Sequence, residues 1–528
     1  MFETTRSRRG MVTASHHLAA EAGLAVLREG GNAIEAMIAA AATISVVYPH
    51  MNGLGGDGFW LISTPEARAP RAIAGVGAAA PDEKFYRGQG LDAVPSRGPL
   101  AANTVAGTLS GWKAALGISA SWGGKMALPR LFEDAIWHAR EGFAVTVGQR
   151  RLTEAKRGEL ESVPGWADVF LPGGAVPQVG ATFKQPALAE TLAHLAEAGL
   201  DDFYRGDLAT KIAADLARAG SPVTQDDLAR HRVMMPDPLS VSLVSGDVFN
   251  VPPPSQGLAS LVILALFDRL GCSEAEGFDH LHLIVEATKR AILVRDREVT
   301  DPAEMTADPA ALLAPAALEK LAAKIDRNKA LPWPVEAKPG DTVWLGAVDG
   351  EGRAVSFIHS IYWEFGSGTV LRDTGIQWQN RGSSFSLDAG ARNHIHPGRL
   401  PFHTNNPAMA LLKDGRVMVY GAMGGEGQPQ SQSAVYSRYA MFDQDLQAAI
   451  NAPRWVLGRT WGEPNVELRL EDRFAPEAVA ALREAGHKVA LQPAFTDLMG
   501  HAGAIVLHPS GLIEGANDPR SDGAAAGF

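Results

Sequence analysis

The spacing of apolar positions predicts that the first half of the chain is rich in helices and the second half in strands. Two helices are expected over residues 16–48, separated by Glu29-Gly-Gly-Asn32. Asn32 and Glu35 stand three residues apart, which is the signature of a capping box at the start of the second helix. Helical periodicity also covers residues 128–145, 187–199, 207–218, 224–231, 258–270, 278–296 and 476–485.

Short runs of β-branched and aromatic residues predict the strands. The runs at 343–348 and 354–362 are joined by Asp349-Gly-Glu-Gly-Arg353, a stretch typical of the turn in a β-hairpin. Helices that come first and strands that come later favour an α+β fold in which sheets pack between helical layers. The other predicted strands are residues 59–63, 241–245, 248–251 and 504–508.

Thr342 stands directly before the first strand of that hairpin. The preceding stretch, Leu331-Pro-Trp-Pro-Val-Glu-Ala-Lys-Pro-Gly-Asp341, holds three prolines, which neither continue a helix nor pair in a central strand. The threonine is therefore expected between an exposed loop and a sheet. A self-cleaving hydrolase needs its nucleophile at such a place, because cutting the loop makes that residue a new N-terminus. Alternatively, Thr342 simply opens a strand, as many threonines do.

An N-terminal threonine carries its own catalytic base. Its hydroxyl is a weak nucleophile until a base removes the proton, and a free amine on the same residue can do this. An α-amino group titrates at about 7.7–8.0, so a substantial fraction accepts protons near neutral pH. Cleavage between Asp341 and Thr342 would place both groups on one residue, where covalent geometry fixes them together.

Composition and charge restrict the possible partners. The 528 residues are 46% hydrophobic and 20% charged, as in an ordinary globular protein with a large core. A net charge of −11 argues against nucleic acid or an anionic membrane as a partner. Cys272 is the one cysteine, which excludes an intrachain disulfide.

No signal-peptide core follows the basic N-terminus, and the apolar run 37–48 is too short to span a bilayer, so we expect a cytoplasmic protein.

The stretch Gly53-Leu-Gly-Gly-Asp-Gly58 matches the spacing of a dinucleotide-binding loop. Such a loop needs a strand before it and a helix after it, so that the phosphates meet a helix N-terminus. The predicted order here is reversed, with a helix before the glycines and a strand after them. We therefore expect the glycines to let the backbone pass close to a site.

Two further groups of residues are ambiguous. His394, His396 and His403 suggest a metal, but no carboxylate or cysteine ligands stand near them in sequence, and for His394 and His396 ordinary loop positions are favoured. The N–H groups of Gly424 and Gly425 could approach a reacting carbonyl, as in an oxyanion hole, although such a pair is usually a turn. We expect that neither a metal nor an organic cofactor is required.

Several segments together resemble the γ-glutamyltranspeptidase family of N-terminal nucleophile hydrolases. The resemblance implies a four-layer αββα sandwich that forms one structural domain. It also implies self-cleavage into a large fragment, 1–341, and a small fragment, 342–528, which stay together as a heterodimer and could dimerise further. The matching segments are Asn52-Gly-Leu-Gly-Gly-Asp-Gly-Phe59, Pro252-Pro-Pro-Ser-Gln-Gly257, His282-Leu-Ile-Val-Glu-Ala-Thr-Lys-Arg-Ala291, Gly340-Asp-Thr342, Phe365-Gly-Ser-Gly368 and Gly421-Ala-Met-Gly-Gly425.

The resemblance also implies a role for each matching position. Thr342 would be the nucleophile and the N-terminal base, released by cleavage of the Asp341–Thr342 bond. Ser360 stands where the family has a threonine hydroxyl that is hydrogen-bonded to the nucleophile. Gly424 and Gly425 would form the oxyanion hole.

Departures from the family concern its glutamate pocket. The family binds the glutamate α-carboxylate through an arginine after the early strand, but residues 74–81 hold none. The acidic pair that holds the α-amino group is replaced by Ser383 and Ser384. A hydroxyl cannot replace a carboxylate as the partner of a buried ammonium. These changes disfavour a substrate that is a zwitterion.

Other substitutions indicate which substrate the pocket accepts. Arg381 stands where the family has a neutral amide or an acid, and its guanidinium could bind a carboxylate through two hydrogen bonds. Alternatively, Arg381 is a solvated surface residue. His403 and Thr404 replace a pair of serines, and the bulky Tyr362-Trp363-Glu364 should shrink the pocket. We therefore expect a small carboxylate amide that lacks an amino group to be bound by Arg381, Tyr362, His403 and Thr404.

The variant Ile361-Tyr-Trp-Glu-Phe-Gly-Ser-Gly368 resembles the oxamate-hydrolysing subgroup of the family. That resemblance implies hydrolysis of oxamate to oxalate and ammonia, in purine nitrogen salvage. The alternatives are a γ-glutamyltransferase or glutathione hydrolase, an acylase for larger amides, and a binding protein without catalysis. The lost arginine and acidic pair disfavour the first alternative, and the bulky Tyr362-Trp363 pair disfavours the second. The retained Thr342, Ser360 and glycine pair disfavour the third.

Overall fold

The computed structural model of the protein describes residues 3–333, 340–458 and 466–528, with Asp341 described through its backbone. In chain order the strands are β1 Thr5–Ser7, β2 Gly10–Ala14, β3 Asp57–Ser63, β4 Arg71–Gly75, β5 Phe143–Ala144, β6 Thr182–Phe183, β7 Leu239–Ser242, β8 Gly246–Asn250 and β9 Asp341–Asp349. They continue with β10 Ala354–Tyr362, β11 Ala408–Leu412, β12 Val417–Ala422, β13 Trp455–Leu457, β14 Leu468–Glu471, β15 Val489–Gln492, β16 Ala502–Leu507, β17 Ile513–Asn517 and β18 Ala524–Gly527.

The helices are spread over both halves of the chain. The first are α1 His17–Arg28, α2 Ala33–Val47, α3 Glu83–Arg87, α4 Thr108–Ser121, α5 Leu128–Glu141, α6 Val147–Leu160, α7 Trp166–Phe170, α8 Pro186–Ala198 and α9 Asp202–Arg205. The others are α10 Asp207–Ala219, α11 Gln225–Arg230, α12 Gly257–Leu270, α13 Phe278–Glu298, α14 Pro309–Leu312, α15 Pro315–Ala322, α16 Gln428–Tyr436, α17 Leu446–Asn451 and α18 Pro476–Glu484. None of the helices in the described part of the chain combines the length and apolar character that crossing a membrane demands.

Two antiparallel sheets form the centre of the fold. The larger has the strand order β1-β17-β16-β12-β11-β8-β7, and the smaller has the order β18-β2-β9-β10-β3-β4. Each sheet combines strands that precede Thr342 in sequence with strands that follow it. Two fragments separated before Thr342 would therefore remain hydrogen-bonded to each other through both sheets.

Hydrophobic packing orders these elements into four layers. Between the sheets, Met11, Phe59 and Ile358 of the smaller sheet pack in one cluster with Met409 and Val419 of the larger. A second cluster joins the outer face of the smaller sheet to α1, α2 and α4, and a third joins the larger sheet to α12, α13 and α16. The layers run helix, sheet, sheet, helix, which confirms the expected αββα sandwich.

The start of α2 and the end of α5 are determined by residues close to them in sequence. Asn32 Oδ1 accepts hydrogen bonds from the N–H groups of Ile34 and Glu35, and Glu35 Oε2 accepts one from Asn32 N at 2.8 Å, so the predicted capping box is present. The helix predicted over 128–145 is too long. It ends at Glu141, because Gly142 adopts a φ of 100° that leaves the helical region.

The predicted hairpin is formed by β9 and β10, which are neighbours at the centre of the smaller sheet. Val343 pairs with His359 and Val348 with Ala354. The register then shifts between His359 and Tyr362, so that Tyr362 pairs with the backbone of Asp341. This β-bulge redirects the chain beside Thr342, as bulges do where a strand borders a site.

Candidate active site

Thr342 lies at the beginning of β9 and is fully buried. Its Oγ1 donates a hydrogen bond to Asn405 Oδ1 at 3.3 Å and accepts one from Gln428 Nε2 at 3.1 Å. The hydroxyl is therefore held between an acceptor and a donor. A nucleophile needs this kind of fixed orientation, because reaction requires a near-attack geometry.

Gln428 is itself oriented by a neighbour of Asn405. It is the first residue of α16, and its Oε1 accepts hydrogen bonds from the N–H and Nδ2 of Asn406, at 3.3 and 3.2 Å. The amide nitrogen is consequently left to face Thr342. Asn406 is in turn bonded to Thr404 O through Nδ2 at 2.9 Å, so the segment 404–406 and the start of α16 form one network.

Gly424 and Gly425 lie at the turn that leads into α16. Their φ angles are 137° and 51°, which favours glycine at both positions. In the described part of the chain neither N–H donates a hydrogen bond, as is usual for the first residues of a helical turn. A Cβ atom on Gly340 would lie 2.9 Å from Gly425 Cα, so the residue two positions before Thr342 is packed against this glycine pair.

Arg381 begins a short 3₁₀ turn and its side chain is fully buried, so the surface alternative is wrong. Its Nη1 donates to Thr404 Oγ1 at 3.2 Å, and its Nη2 donates to Ser360 Oγ and Asn405 Oδ1, both at 3.4 Å. The guanidinium stacks over the Tyr362 ring at 4.0 Å from its centroid. The structure thus brings together Thr342 and three of the predicted substrate-binding residues.

The described residues supply no direct partner that balances the charge of Arg381. No carboxylate of the described residues lies within ion-pairing distance of the guanidinium, and its Nε has no hydrogen-bond partner there. Burial lowers the pKa of Arg381 to about 10, against the opposing effects of Tyr362 and Asp57. The side chain remains a cation near neutral pH. A buried cation that contacts mainly neutral oxygens is stabilised further when an anion binds beside it.

Ser360 lies on the bulge of β10. Its Oγ accepts hydrogen bonds from Tyr362 N at 2.8 Å and from Arg381 Nη2. Arg381 and Asn405 therefore connect Ser360 with Thr342. Tyr362 has a φ of 82°, an unusual value for a residue with a side chain, and such backbone strain concentrates at functional sites.

His403 lies behind Arg381 and contacts a carboxylate that the sequence analysis did not select. Its Nε2 is 3.3 Å from Asp57 Oδ2, in an orientation that makes no hydrogen bond. The Asp57 Oδ1 atom accepts hydrogen bonds from the N–H groups of Gly77 and Gly107, at 3.1 and 2.8 Å. Both side chains are fully buried, and His403 directly precedes Thr404, whose Oγ1 accepts a hydrogen bond from Arg381.

The glycine stretch before β3 allows a close approach of two backbone segments, as its flanking elements predict. Helix α2 precedes it and β3 follows it, so it lacks the order of a dinucleotide-binding loop. A Cβ atom on Gly55 would collide with Gln377 O, and one on Gly56 would collide with Ser360 O. These glycines therefore let the backbone approach the bulge that carries Ser360.

The remaining residues of the Tyr362 segment lie outside the site. Glu364 Oε2 is 3.7 Å from Arg97 and 3.5 Å from Lys156, and the Arg97 guanidinium also stacks on the Trp363 ring. Tyr362 is thus the residue of this segment that lines the pocket. The hydroxyls of Ser383 and Ser384 have no hydrogen-bond partners among the described residues.

His394 and His396 do not converge on a metal site. His394 Nε2 is 2.8 Å from Glu83 Oε2, and His396 Nε2 is 2.5 Å from Glu304 Oε1. Each histidine therefore pairs with a different glutamate. This arrangement agrees with the ordinary loop positions that the sequence favours.

In the described ranges, the three possible metal ligands that do meet are His282, Glu286 and His487. Their atoms already have partners. His282 Nε2 is bonded to a backbone carbonyl at 2.8 Å and Nδ1 to His487 Nε2 at 2.9 Å, while Glu286 Oε1 accepts from Lys289 Nζ at 2.7 Å. This buried cluster is therefore satisfied as it stands.

Sequence reasoning missed Asp57, Asn405 and Gln428. Asp57 lies inside the glycine stretch that was judged by its glycines alone. Asn405 precedes β11 and Gln428 begins α16, and no spacing rule connects either residue with Thr342. A run of amides in segments that flank buried strands is the one signal that could have indicated them, because buried amides need hydrogen-bond partners.

Comparisons with known proteins agree with this geometry. The Gamma-glutamyltranspeptidase family model matches residues 19–528. The oxamate amidohydrolase proenzyme of Klebsiella pneumoniae is 54% identical over 530 residues, covering 100% of both chains. The glutathione hydrolase-like YwrD proenzyme of Bacillus subtilis is 40% identical, covering 98% of each chain.

Solved structures show the same fold. The crystal structure of cephalosporin acylase from Bacillus halodurans superposes with a TM-score of 0.91 at 32% identity, covering 100% of this chain and 97% of the acylase. The family match covers nearly the whole sequence, and the structural match includes both sheets and both helical layers. The chain therefore belongs to the γ-glutamyltranspeptidase family and is an amidohydrolase of the N-terminal nucleophile type.

Proposed function

We propose that the chain cleaves itself before Thr342 and then hydrolyses the amide of a small carboxylate, with oxamate as the substrate. The observation that carries this proposal is the buried Arg381 guanidinium, which has no carboxylate partner among the described residues and lies beside Thr342. A cation in this position favours an anionic substrate. The printed name of the 54% identical relative supports the choice of oxamate.

The distance between Arg381 and Thr342 favours a very short substrate. Arg381 Nη2 and Thr342 Oγ1 share Asn405 Oδ1 as an acceptor, at 3.4 and 3.3 Å. The guanidinium is therefore within two hydrogen-bond lengths of the nucleophile. A carboxylate bound to Arg381 would present its adjacent carbon to Thr342. In oxamate that carbon is the amide carbon.

Maturation would use Thr342 on its own peptide bond. Oγ1 attacks the carbonyl carbon of Asp341, and the peptide nitrogen takes up a proton and leaves as the α-amino group of Thr342. Residue 341 is then joined to Oγ1 as an ester. Water hydrolyses the ester, which leaves a carboxylate on Asp341 and both a hydroxyl and an amine on Thr342.

Turnover would repeat this chemistry on the substrate. The Thr342 amine accepts the hydroxyl proton, Oγ1 attacks the amide carbon, and the proton is transferred to the departing ammonia. The N–H groups of Gly424 and Gly425 are the donors suited to stabilise the negative oxygen that forms. Water then attacks the ester and releases oxalate.

Self-cleavage would also open the pocket. Gly340 lies against Gly425, and a Cβ at Gly340 would be 3.4 Å from the Tyr362 ring and 3.6 Å from Thr404 Oγ1. The segment before Thr342 thus occupies space beside the residues proposed to bind substrate. Its departure would free the amine and empty the pocket in one step.

The test compares two substrates on purified protein. We expect ammonia release from oxamate, and p-nitroaniline release from γ-glutamyl-p-nitroanilide that is slower by about a hundredfold or more in kcat/KM. This difference follows because the pocket holds a cation and lacks an acidic pair for an ammonium. The opposite preference would identify a γ-glutamyl hydrolase and refute the oxamate proposal.

Thr342→Ala is the matched control. It keeps the β-carbon and removes the hydroxyl, so we expect one uncut chain on a denaturing gel and no ammonia release. Cleavage or turnover that persists in Thr342→Ala would remove Thr342 from the mechanism.

A further inference from the structure

Asp57 is a buried carboxylate that the proposed mechanism does not use. It lies on β3, with Oδ1 bonded to two backbone N–H groups, whereas Oδ2 has no hydrogen-bond partner in the described structure. Buried carboxylate oxygens normally have partners. The exception lies opposite Ser360 on the neighbouring strand β10, and Ser360 Oγ accepts a hydrogen bond from Arg381, which makes Asp57 a candidate for function.

The groups that face Asp57 come from several elements. His403 approaches Oδ2 from the segment before β11, and Tyr204 from α9 and the amide of Gln379 lie nearby. Burial holds the pKa of His403 well below its usual range and raises the pKa of Tyr204 well above its usual value, so both are neutral near neutral pH. Arg381 is the cation that acts on Asp57.

Among the described residues, Asp57 is correspondingly the carboxylate whose charge acts on Arg381. The two side chains are therefore a buried cation and a buried acid that share one electrostatic field without direct contact. An incoming carboxylate would bring a second negative charge close to the same cation. Two anions in a low-dielectric site repel strongly, and the usual outcome is that one of them takes up a proton.

We propose that Asp57 is a specificity-determining residue that takes up a proton when a substrate carboxylate binds to Arg381, so that the pocket holds one negative charge at a time. This inference rests on the proposed function of Arg381. The proton balance is simple: the ionised Asp57 site, one proton and the substrate anion give the anion complex with neutral Asp57. No bond is made or broken in the substrate.

The environment of Asp57 suits such a role at physiological pH. Burial raises its pKa to about 7, against the opposing effects of Arg381 and the Gly107 and Gly77 N–H groups. Below this value Asp57 is neutral and Arg381 is free to bind an anion. Above it, binding must first protonate Asp57, so the affinity for carboxylates falls as the pH rises.

The test measures KM for oxamate between pH 6 and 8 in the wild-type enzyme and in Asp57→Asn. Asparagine keeps Oδ1 for the two backbone N–H groups and cannot ionise. We expect the wild-type KM to rise by about tenfold over this range, and the Asp57→Asn KM to change by less than about twofold. Asp215→Asn is the matched control, because Asp215 is also buried, with a raised pKa, but lies on α10. It should keep the wild-type profile.

Calorimetry of lactate binding in two buffers of different ionisation enthalpy gives a second readout. Lactate is a monoanion that the enzyme cannot hydrolyse, and we expect less proton uptake in Asp57→Asn than in wild type by about half a proton or more at pH 8. The Thr342 amine titrates in the same pH range. The proton uptake that remains in Asp57→Asn measures the contribution of that amine. If Asp57→Asn does not fold, the wild-type KM profile and the wild-type proton uptake test the role of Asp57.

A wild-type KM that is flat from pH 6 to 8, or equal proton uptake in both proteins, would overturn the role of Asp57. Absence of oxamate hydrolysis at every pH would instead overturn the proposed substrate. The lactate measurement would then still decide whether anion binding is coupled to Asp57, so the two failures are distinguishable.

Discussion

Two buried arginines, Arg381 and Arg454, lose the same solvation and have very different neighbours. Both are fully buried, and burial lowers the pKa of each to about 10. Arg454 pairs with Asp518, which also pairs with Arg520. Arg381 contacts the oxygens of Ser360, Thr404 and Asn405 and no carboxylate among the described residues. One guanidinium is neutralised within the fold, and the other has no carboxylate partner among the described residues, as the proposed role in binding an anion requires.

The neighbourhood of Arg454 is a closed network. Arg520 binds Glu471 through two nitrogens, at 2.8 and 2.6 Å, and Asp518 also accepts from Ala502 N at 2.6 Å. Although burial alone would raise it, Arg454 and Arg520 hold the pKa of Asp518 well below its usual range. Removing one member of such a network is costly, because a buried charge is then left uncompensated. The contrast teaches that burial alone does not distinguish a structural charge from a functional one, whereas pairing does.

The largest effect is expected from Arg454→Met. The substitution leaves Asp518 and Glu471 with less compensation, so the free energy of unfolding should fall by about 3–5 kcal/mol. Urea unfolding in the uncut Thr342→Ala background measures this on a single chain. In the Thr342 enzyme, the fraction that folds should keep the wild-type kcat. A loss below about 1 kcal/mol would contradict the structural role of this network.

The same substitution at Arg381 should have the opposite profile. Arg381→Met removes a cation without stranding a paired carboxylate, so stability should stay within about 1 kcal/mol of wild type or increase. Because the anionic substrate loses its cation partner, kcat/KM for oxamate should fall about a hundredfold, chiefly through KM, while self-cleavage continues. Steady-state kinetics measure kcat/KM and KM, and a denaturing gel measures self-cleavage. An unchanged KM would exclude Arg381 from the site.

A smaller effect is expected at Tyr362, whose ring lies 4.0 Å from the Arg381 guanidinium. Tyr362→Leu removes the cation–π contact that holds the cation, and KM for oxamate should rise about fivefold. Tyr362→Phe keeps the ring and is the matched control, with KM within about twofold of wild type. Equal effects of the two substitutions would show that the cation–π contact with the ring does not determine KM.

The sequence predicts what depends on neighbouring residues. The capping box at Asn32, the hairpin around Thr342 and the close backbone approach at Gly55 and Gly56 all follow from local chemistry. Helices α4 and α6 were not predicted. Glycine at positions 111 and 117 weakens the helical signal of α4, and most of α6 is polar and exposed. Tertiary packing therefore determines that α4 and α6 form.

The site itself is only partly visible in the sequence. Thr342 could be selected because it stands where a proline-rich stretch meets a strand, and Arg381 because it departs from the pattern of the family. Asp57, Asn405 and Gln428 come from β3, the segment before β11 and α16, and three-dimensional proximity is what joins them. Whether Arg381 is solvated or buried likewise depends on residues as distant as Thr404 and Tyr362. No local periodicity carries that information.

In the proposed mechanism, Thr342 acts with a free N-terminal amine. Intact-mass measurement and N-terminal sequencing of the purified, active protein determine whether that amine exists. We expect two fragments, 1–341 and 342–528, the second beginning with Thr342. Full activity in a single uncut chain, with residue 342 still in peptide linkage, would contradict this mechanism.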